Sequence, residues 1–254
     1  MITKDPKQIE ILRTGAKILA TVLNLVASKA RVGVSAWELD QLAEIEIRKA
    51  GGVPAFKNYR AQTGDPPFPA TLCVSVNDEV VHGIPTKDKV LRDGDLVGLD
   101  LGMQYQGLFT DMAITVGIGQ IDETSQKLIQ AAQESLTAAI KMIRPGVLTG
   151  DIGATIESVI KGYKFQVVRE LVGHGVGGAV HEEPEVPCFG KPGTGMKLGE
   201  GQVIAVEPMV NAGGWKIIFA KDNWTIKTAD ASRSAHAEHT LIITKTGCEV
   251  LTLA

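Results

Sequence analysis

Two helices followed by a group of strands, twice over in 254 residues, is the pattern that most restricts what this chain can fold into. In the first half, Asp5-Pro6-Lys7-Gln8 offers an N-cap, a proline at the first helical position and a glutamine three residues on. Ile9, Leu12, Ala16, Leu19, Leu23 and Val26 then recur at three-four spacing. Ser35-Ala-Trp-Glu38 is a capping box that opens a second helix, with Leu39, Leu42, Ala43 and Ile47 on one face and Gly51-Gly52 at its end. In the second half, Ile129, Ala132, Leu136, Ile140 and Ile143 mark a third helix from Glu123, stopped by Pro145-Gly146, and Ile152, Ile156, Val159 and Ile160 mark a fourth. Strand-like runs follow each pair: Leu72–Val76, Leu96–Leu101 and Gly107–Val116, then Gln166–Leu171, Val203–Val210 and His239–Thr244. Ala30-Arg-Val-Gly-Val34 resembles Ile143-Arg-Pro-Gly-Val147, and Asp93-Gly-Asp-Leu-Val-Gly-Leu-Asp100 resembles Glu200-Gly-Gln-Val-Ile-Ala-Val-Glu207, where an offset of 107 lays Asp100 on Glu207. Helices grouped apart from strands predict an α+β fold, one compact domain over 1–254 with halves of roughly 1–121 and 122–254.

Composition narrows the partners. Twenty-six basic against 29 acidic residues leave a net charge of −3 with no Lys/Arg run, which argues against nucleic-acid specificity. Cys73, Cys188 and Cys248 are odd in number, far apart and outside any paired metal spacing, as expected in a reducing, cytoplasmic setting. The opening Met-Ile-Thr-Lys-Asp is polar, and nowhere do eighteen apolar residues run together, so no signal peptide or membrane span is expected.

The unusual residues are acids. Asp100 lies within Leu96-Val-Gly-Leu-Asp-Leu101, Glu207 within Val203-Ile-Ala-Val-Glu-Pro-Met-Val210, and Glu238 leads from Ala237 into an apolar strand. A lone buried carboxylate costs several kcal/mol, so each needs a proton or a cation. No Lys or Arg occurs between Asp93 and Gln126, a stretch that holds both Asp100 and Asp111, and none between Glu200 and Trp215. Any one of these acids taken alone could be a strand-end carboxylate bonded to backbone or to a distant Arg. All five histidines, His82, His174, His181, His236 and His239, fall in or beside these same segments. His174 sits in Val172-Gly-His-Gly-Val-Gly-Gly178, whose glycines permit a close approach of backbone but do not fit a dinucleotide fingerprint. Two Asp, two Glu and one His could hold two divalent ions, four negative charges against four positive. Oxygen-rich ligation with one imidazole favours Mn, Fe(II), Co or Zn. Two ions ~3.5–4 Å apart can activate a shared water at neutral pH, which makes hydrolysis of a peptide, phosphoester or amide the expected reaction.

These residues resemble the type I methionine aminopeptidases. Asp100 and Asp111, the His174 in Gly-His-Gly-Val-Gly, His181-Glu-Glu-Pro, the Glu207 in Val-Glu-Pro-Met, and Glu238-His239-Thr240 occur in that family's order, as does Asn77-Asp-Glu-Val-Val-His82-Gly-Ile-Pro85 before the first ligand. The resemblance runs from the opening helix to the last strand. It implies the pita-bread fold, two pseudo-symmetric α+β halves with helices packed on antiparallel sheet, and removal of the initiator methionine from nascent chains whose second residue is small. It further implies Asp100 on one metal, Asp111 and Glu238 bridging two, and His174 with Glu207 on the second. Glu207 would double as acid/base, His181 would stabilise the oxyanion, and His82 would stand near the substrate amine. Phe68, Cys73 and Trp224 match positions of the methionine pocket, although the residues themselves fit an ordinary core equally well. A monomer that meets nascent N-termini near the ribosome is implied as well. The sequence departs from the family in a short insertion at Gln62–Pro67, in His236 where glutamine is frequent, in Ala237 where an aromatic is common, and in Val180 where many relatives have Phe. Two alternatives share the fold: a proline-specific peptidase, and a binding protein that has lost its metals, against which the five intact ligands argue.

Overall fold

A computed structural model describes residues 1–60, 63–64 and 66–254. In chain order the elements are α1 (Pro6–Lys29), α2 (Ala36–Lys49), β1 (Val53–Pro54), β2 (Leu72–Val76), β3 (Glu79–Val81), β4 (Leu96–Tyr105), β5 (Leu108–Gly117), α3 (Glu123–Met142) and α4 (Thr149–Gly162). They continue as β6 (Gln166–Val167), β7 (Gly173–Gly175), β8 (Glu182–Val186), β9 (Val203–Val206), β10 (Met209–Asn211), β11 (Ile217–Phe219), β12 (Ile226–Thr228), β13 (Ser234–His236), β14 (His239–Ile243) and β15 (Cys248–Val250). The helices start where their side chains satisfy free N–H groups. Asp5 accepts from Lys7 N–H, Glu38 and Ser35 cap each other's backbone, and Asp122 accepts from Ser125 N–H.

Each helix pair covers a sheet. Leu12, Leu19, Leu23, Leu39 and Ile47 are buried, and most of them meet Leu72, Leu99 and Leu101 of β2 and β4. Leu128, Leu136, Ile152 and Ile156 meet Ile204 of β9 and Leu241 of β14 in a second core. In the first sheet β4 pairs antiparallel with β1, β2 and β5, and in the second the order is β15-β14-β9-β7-β8. The turn before each pair's second helix has one design. Gly33 (φ 88°) donates to Leu91 O and Leu91 donates to Val34 O, while Gly146 (φ 92°) donates to Leu198 O and Leu198 to Val147 O. Those φ values are ones that glycine adopts without strain.

The two sheets meet where β5 runs antiparallel beside the segment His236–Thr240. Thr240 Oγ1 accepts from Asp111 N–H and donates to Asp111 O. Glu238 N–H donates to Ala113 O, and Thr115 Oγ1 accepts from His236 N–H and donates to His236 O. Two threonine hydroxyls thus replace backbone partners at the seam and fix Asp111 and Glu238 next to each other.

Several expected strands differ in extent. Val203–Val210 is two strands broken at Glu207-Pro208, because proline has no N–H to continue a ladder. Of Gln166–Leu171 only Gln166–Val167 pairs, and Leu96–Leu101 continues as a ten-residue strand to Tyr105. The insertion at Gln62–Pro67 lies partly outside the described residues, since Gln62 and Asp65 are not among them.

Asp40 of α2 is buried, and its Oδ1 accepts from the N–H groups of Thr71 (2.7 Å) and Leu72 (3.0 Å), tying the helix to the start of β2. Asp40→Ala leaves two buried donors unpaired at roughly 1–3 kcal/mol each. Urea unfolding is expected to show a loss of about 2–4 kcal/mol, and a loss below about 0.5 kcal/mol would contradict this anchoring.

Candidate metal centre

β4 and β5 supply the first two acids. Asp100 pairs across the ladder with Ala113 and Asp111 with Gly102, so the two carboxyls stand diagonally on one face of the sheet. Gly102 leaves that face without a side chain, and a Cβ there would run into the Phe56 ring. Glu207 follows the last residue of β9, Glu238 precedes β14, and Val206 pairs with His239, so both glutamates emerge at the same end of the second sheet. His174 is the middle residue of β7, which pairs with β9.

The tertiary structure brings all five candidate ligands to one pocket. Asp111, His174 and Glu238 present ligand atoms within 4.8 Å of one another. That is near the ~4 Å expected between ligands on a single ion at metal–ligand distances of ~2.1 Å. Asp100 and Glu207 line the same pocket outside that trio, with Glu207 Oε1 3.3 Å from His174 Nε2. His174 Nδ1 lies 2.9 Å from Gly175 O. A carbonyl only accepts, so Nδ1 carries the proton and Nε2 keeps its lone pair, the tautomer a metal ligand requires.

The electrostatics fit a divalent cation. Burial pushes the pKa of Asp100, Glu207 and Glu238 well up, and the neighbouring acids push them further. Burial raises Asp111 to about 7. The interaction of Asp100 with Asp111 raises the pKa of the first and lowers that of the second, so the two carboxyls titrate as neighbours. Among the described residues no Lys or Arg pairs with any of the four acids; the ion-pair contacts there come from imidazoles, His174 to Glu207 and His236 to Glu207 and Glu238. Burial lowers His174 and His236 to about 3 and His82 to about 4, so none offsets the acids at neutral pH. Asp100 Oδ1 and Glu238 Oε1 are buried without a hydrogen-bond partner. Orphaned acceptors, four acids and one imidazole poised as a ligand suit an ion that prefers oxygen with some nitrogen.

Beside the acids lies an aromatic wall. Phe68 and Cys73 are buried, and Phe68 and Trp224 meet edge to face at 5.3 Å. Asp222 Oδ1 fixes the Trp224 turn by accepting from the N–H groups of Trp224 and Thr225. His82 holds a left-handed φ of 57° at the pocket and meets Trp224 edge on at 6.2 Å. The next residue has to be glycine, because a Cβ on Gly83 would strike the Val74 carbonyl. His181 is at the mouth, its ring 4.4 Å from that of His174. Phe56, Tyr59 and Val81 also line the pocket and carry no sequence signal of their own, being loop aromatics and a strand valine. His236 and Val180 are buried against this region, Val180 packing with Phe56, Phe68 and Cys73. All three cysteines are free.

Fold and site together define a metal-dependent hydrolase. Residues 10–245 match the model of metallopeptidase family M24, and the chain belongs to that family. It is 43% identical over 253 residues to methionine aminopeptidase of Clostridium perfringens, covering 100% of this chain and 99% of the relative. It is 38% identical to that of Escherichia coli, covering 98% and 93%. The crystal structure of methionine aminopeptidase from Thermotoga maritima superposes with a TM-score of 0.95 at 42% identity, covering 100% of both chains. Prolidase from Pyrococcus furiosus shares the fold at a TM-score of 0.79 and 22% identity, with 66% of that chain covered. No helix among the described residues is long and apolar enough to cross a membrane.

The raised carboxyl pKa values have a consequence for stability without metal. Asp111 binds its proton up to about pH 7 when folded but only to about 3.8 when unfolded, so ionising it destabilises the fold as pH rises between those values. The depressed histidines act oppositely but only below their ordinary 6.5, under which the unfolded chain takes up protons. Above 6.5 the acids act alone. Chelator-treated protein is therefore expected to lose stability as pH rises past 6.5, and divalent metal to restore it with release of protons at pH 7. Titration calorimetry in two buffers of different ionisation enthalpy reads the protons. Metal uptake with no proton release at pH 7 would contradict the assignment.

Proposed function

We propose that the chain removes methionine from polypeptide N-termini whose second residue is small, by metal-assisted hydrolysis. The single observation that carries this reading is the pocket itself, in which five clustered metal-ligand side chains share one cavity with an apolar aromatic wall. The full-length similarity to proteins called methionine aminopeptidase supports it.

Asp100, Asp111, His174, Glu207 and Glu238 would hold two divalent ions, with Co, Mn, Fe(II) and Zn all compatible with the donor set. Divalent ions in such a site supply a water of lowered pKa and polarise a carbonyl oxygen. The remaining work falls to side chains. Glu207, whose carboxyl is drawn above its ordinary range, takes the proton of the attacking water and returns it to the leaving amine. His181, neutral because loss of hydration lowers its pKa, donates an N–H to the carbonyl oxygen as negative charge develops. His82 stands where the substrate amine would lie, and being neutral it accepts a hydrogen bond without repelling an ammonium. Phe68, Cys73 and Trp224 receive the methionine side chain. The Cys73 thiol stays protonated, since burial and then Asp100 push its pKa up, and it acts as a small apolar wall.

The whole of 1–254 acts as one catalytic unit in this reading, because the halves 1–121 and 122–254 each supply ligands. The threonine-clamped seam supports it. A substrate that is a nascent N-terminus implies action near the ribosome in the cytoplasm, and the unit works as a monomer.

Metal-stripped protein reloaded with each ion in turn is expected to release methionine from Met-Ala-Ser, to spare Met-Ile-Ser, and to leave Ala-Pro-Ser intact. Cleavage of Ala-Pro-Ser instead would move the chain to the proline-specific branch. Asp111→Asn is expected to retain the fold by circular dichroism and to lose at least ~10³-fold in kcat/KM, as befits removal of a ligand shared by two ions. Turnover like the wild type in that variant would sink the two-metal assignment.

A further inference from the structure

Two adjacent histidines in the pocket have their Nδ1 atoms engaged by different groups, one that can only accept a hydrogen bond and one that can also donate. His174 Nδ1 meets a backbone carbonyl, Gly175 O, which can only accept. His181 Nδ1 meets the phenol oxygen of Tyr59 at 2.7 Å, and a phenol carries a proton to give. The rings are packed edge to face, 4.4 Å between the histidines and 5.1 Å between Tyr59 and His181, so neither imidazole turns without disturbing the others.

We propose that Tyr59 is the positioning residue of His181: its O–H donates to Nδ1 and thereby keeps the imidazole proton on Nε2, the nitrogen left for a substrate carbonyl oxygen. This rests on the donor role given to His181 above. A neutral imidazole has one N–H and one lone pair. If Nδ1 held the proton, Nε2 would present a lone pair to the pocket, where the carbonyl to be stabilised is itself an acceptor. The phenol O–H would also need another acceptor, and among the described residues Nδ1 is the hydrogen-bond partner of Tyr59 Oη. Loss of hydration raises the Tyr59 pKa, so the phenol keeps the proton it donates.

The backbone holds Tyr59 in place for this task. Tyr59 N–H donates to Phe56 O, Phe68 N–H donates to Tyr59 O and Asn58 N–H donates to Phe68 O, at 2.9, 2.8 and 2.8 Å. Asn58, Tyr59 and Phe68 are thereby held side by side. Asn58 takes a left-handed φ of 68° there, a conformation asparagine tolerates better than most residues. One loop base thus fixes both a wall of the methionine pocket, Phe68, and the group that sets the proton of His181.

The test is Tyr59→Phe in the full chain loaded with zinc, which is diamagnetic. Long-range proton–nitrogen correlation spectra read which imidazole nitrogen is protonated, with the His181 signals assigned by their absence in His181→Ala. The wild type is expected to show His181 protonated on Nε2 and His174 on Nδ1. In Tyr59→Phe the His181 signals should move towards a mixture of tautomers, with His174 unchanged, while kcat falls about tenfold and KM changes less than about twofold. His181 protonated on Nδ1 in the wild type, or a Tyr59→Phe variant with unaltered tautomer and kcat, would overturn the inference. The donor role is read separately: undiminished kcat in His181→Ala would overturn that role, whatever tautomer the spectra show.

Discussion

Four carboxylates buried together, with no lysine or arginine opposite them among the described residues, form the constraint around which this molecule is arranged. Like charges in a medium of low polarity repel strongly, so the cluster persists only with protons or with cations between the acids. Among the described residues no lysine or arginine supplies that charge. The nearby imidazoles are kept neutral by burial, which removes the one internal source of positive charge and reserves the site for an ion from outside. An apolar core backs both sheets, with Leu99, Leu101, Ile204 and Leu241 fully buried.

Geometry at the seam follows from small, local chemistry. Thr240 and Thr115 each give one hydroxyl to both backbone groups of a residue across the junction, a substitution for strand pairing that brings β5 and the His236–Thr240 segment into contact without extending either sheet. Pro208 stops β9 directly after Glu207, so the glutamate ends a strand and is free to turn into the site. The left-handed His82 and the glycine after it aim an imidazole where an extended strand would have turned it away. Each device disturbs regular structure at one residue, and each positions a pocket residue: Asp111 and Glu238 at the seam, Glu207 before Pro208, and His82 itself.

Division of labour within the pocket follows the same logic. The half bearing β4 and β5 contributes two acids, Phe68, Cys73 and Tyr59, while the other contributes His174, Glu207 and Glu238 at one end of its sheet together with His181 and Trp224. Metal-assisted hydrolysis of a peptide uses ions, a proton carrier and a hydrogen-bond donor within a few ångströms of one carbonyl. The second half holds the proton carrier and the donor, and the first completes the acid cluster with Asp100 and Asp111. The groups that meet Nδ1 differ between two neighbouring histidines that have the same chemistry in isolation, Gly175 O for His174 and Tyr59 Oη for His181.

Much of this was legible in the sequence, for identifiable reasons. Asp100, Glu207 and Glu238 stood out because carboxylates interrupt apolar strands, and the helices because caps and three-four spacing are local signals that survive in any context. The resemblance of the motifs to a known family then supplied roles that spacing could not. Phe56 and Tyr59 were invisible, since aromatic residues in a loop look alike whether they line a site or simply cover a core. The break at Glu207-Pro208 was read as continuous strand because its apolar residues run on past the proline. By itself the sequence determined the helices, the longer strands and the presence of buried acids in want of a cation, all consequences of composition and short-range periodicity. Only the tertiary structure decided which acids of the two halves meet and which loop residue reaches His181, because those depend on contacts between residues more than a hundred positions apart.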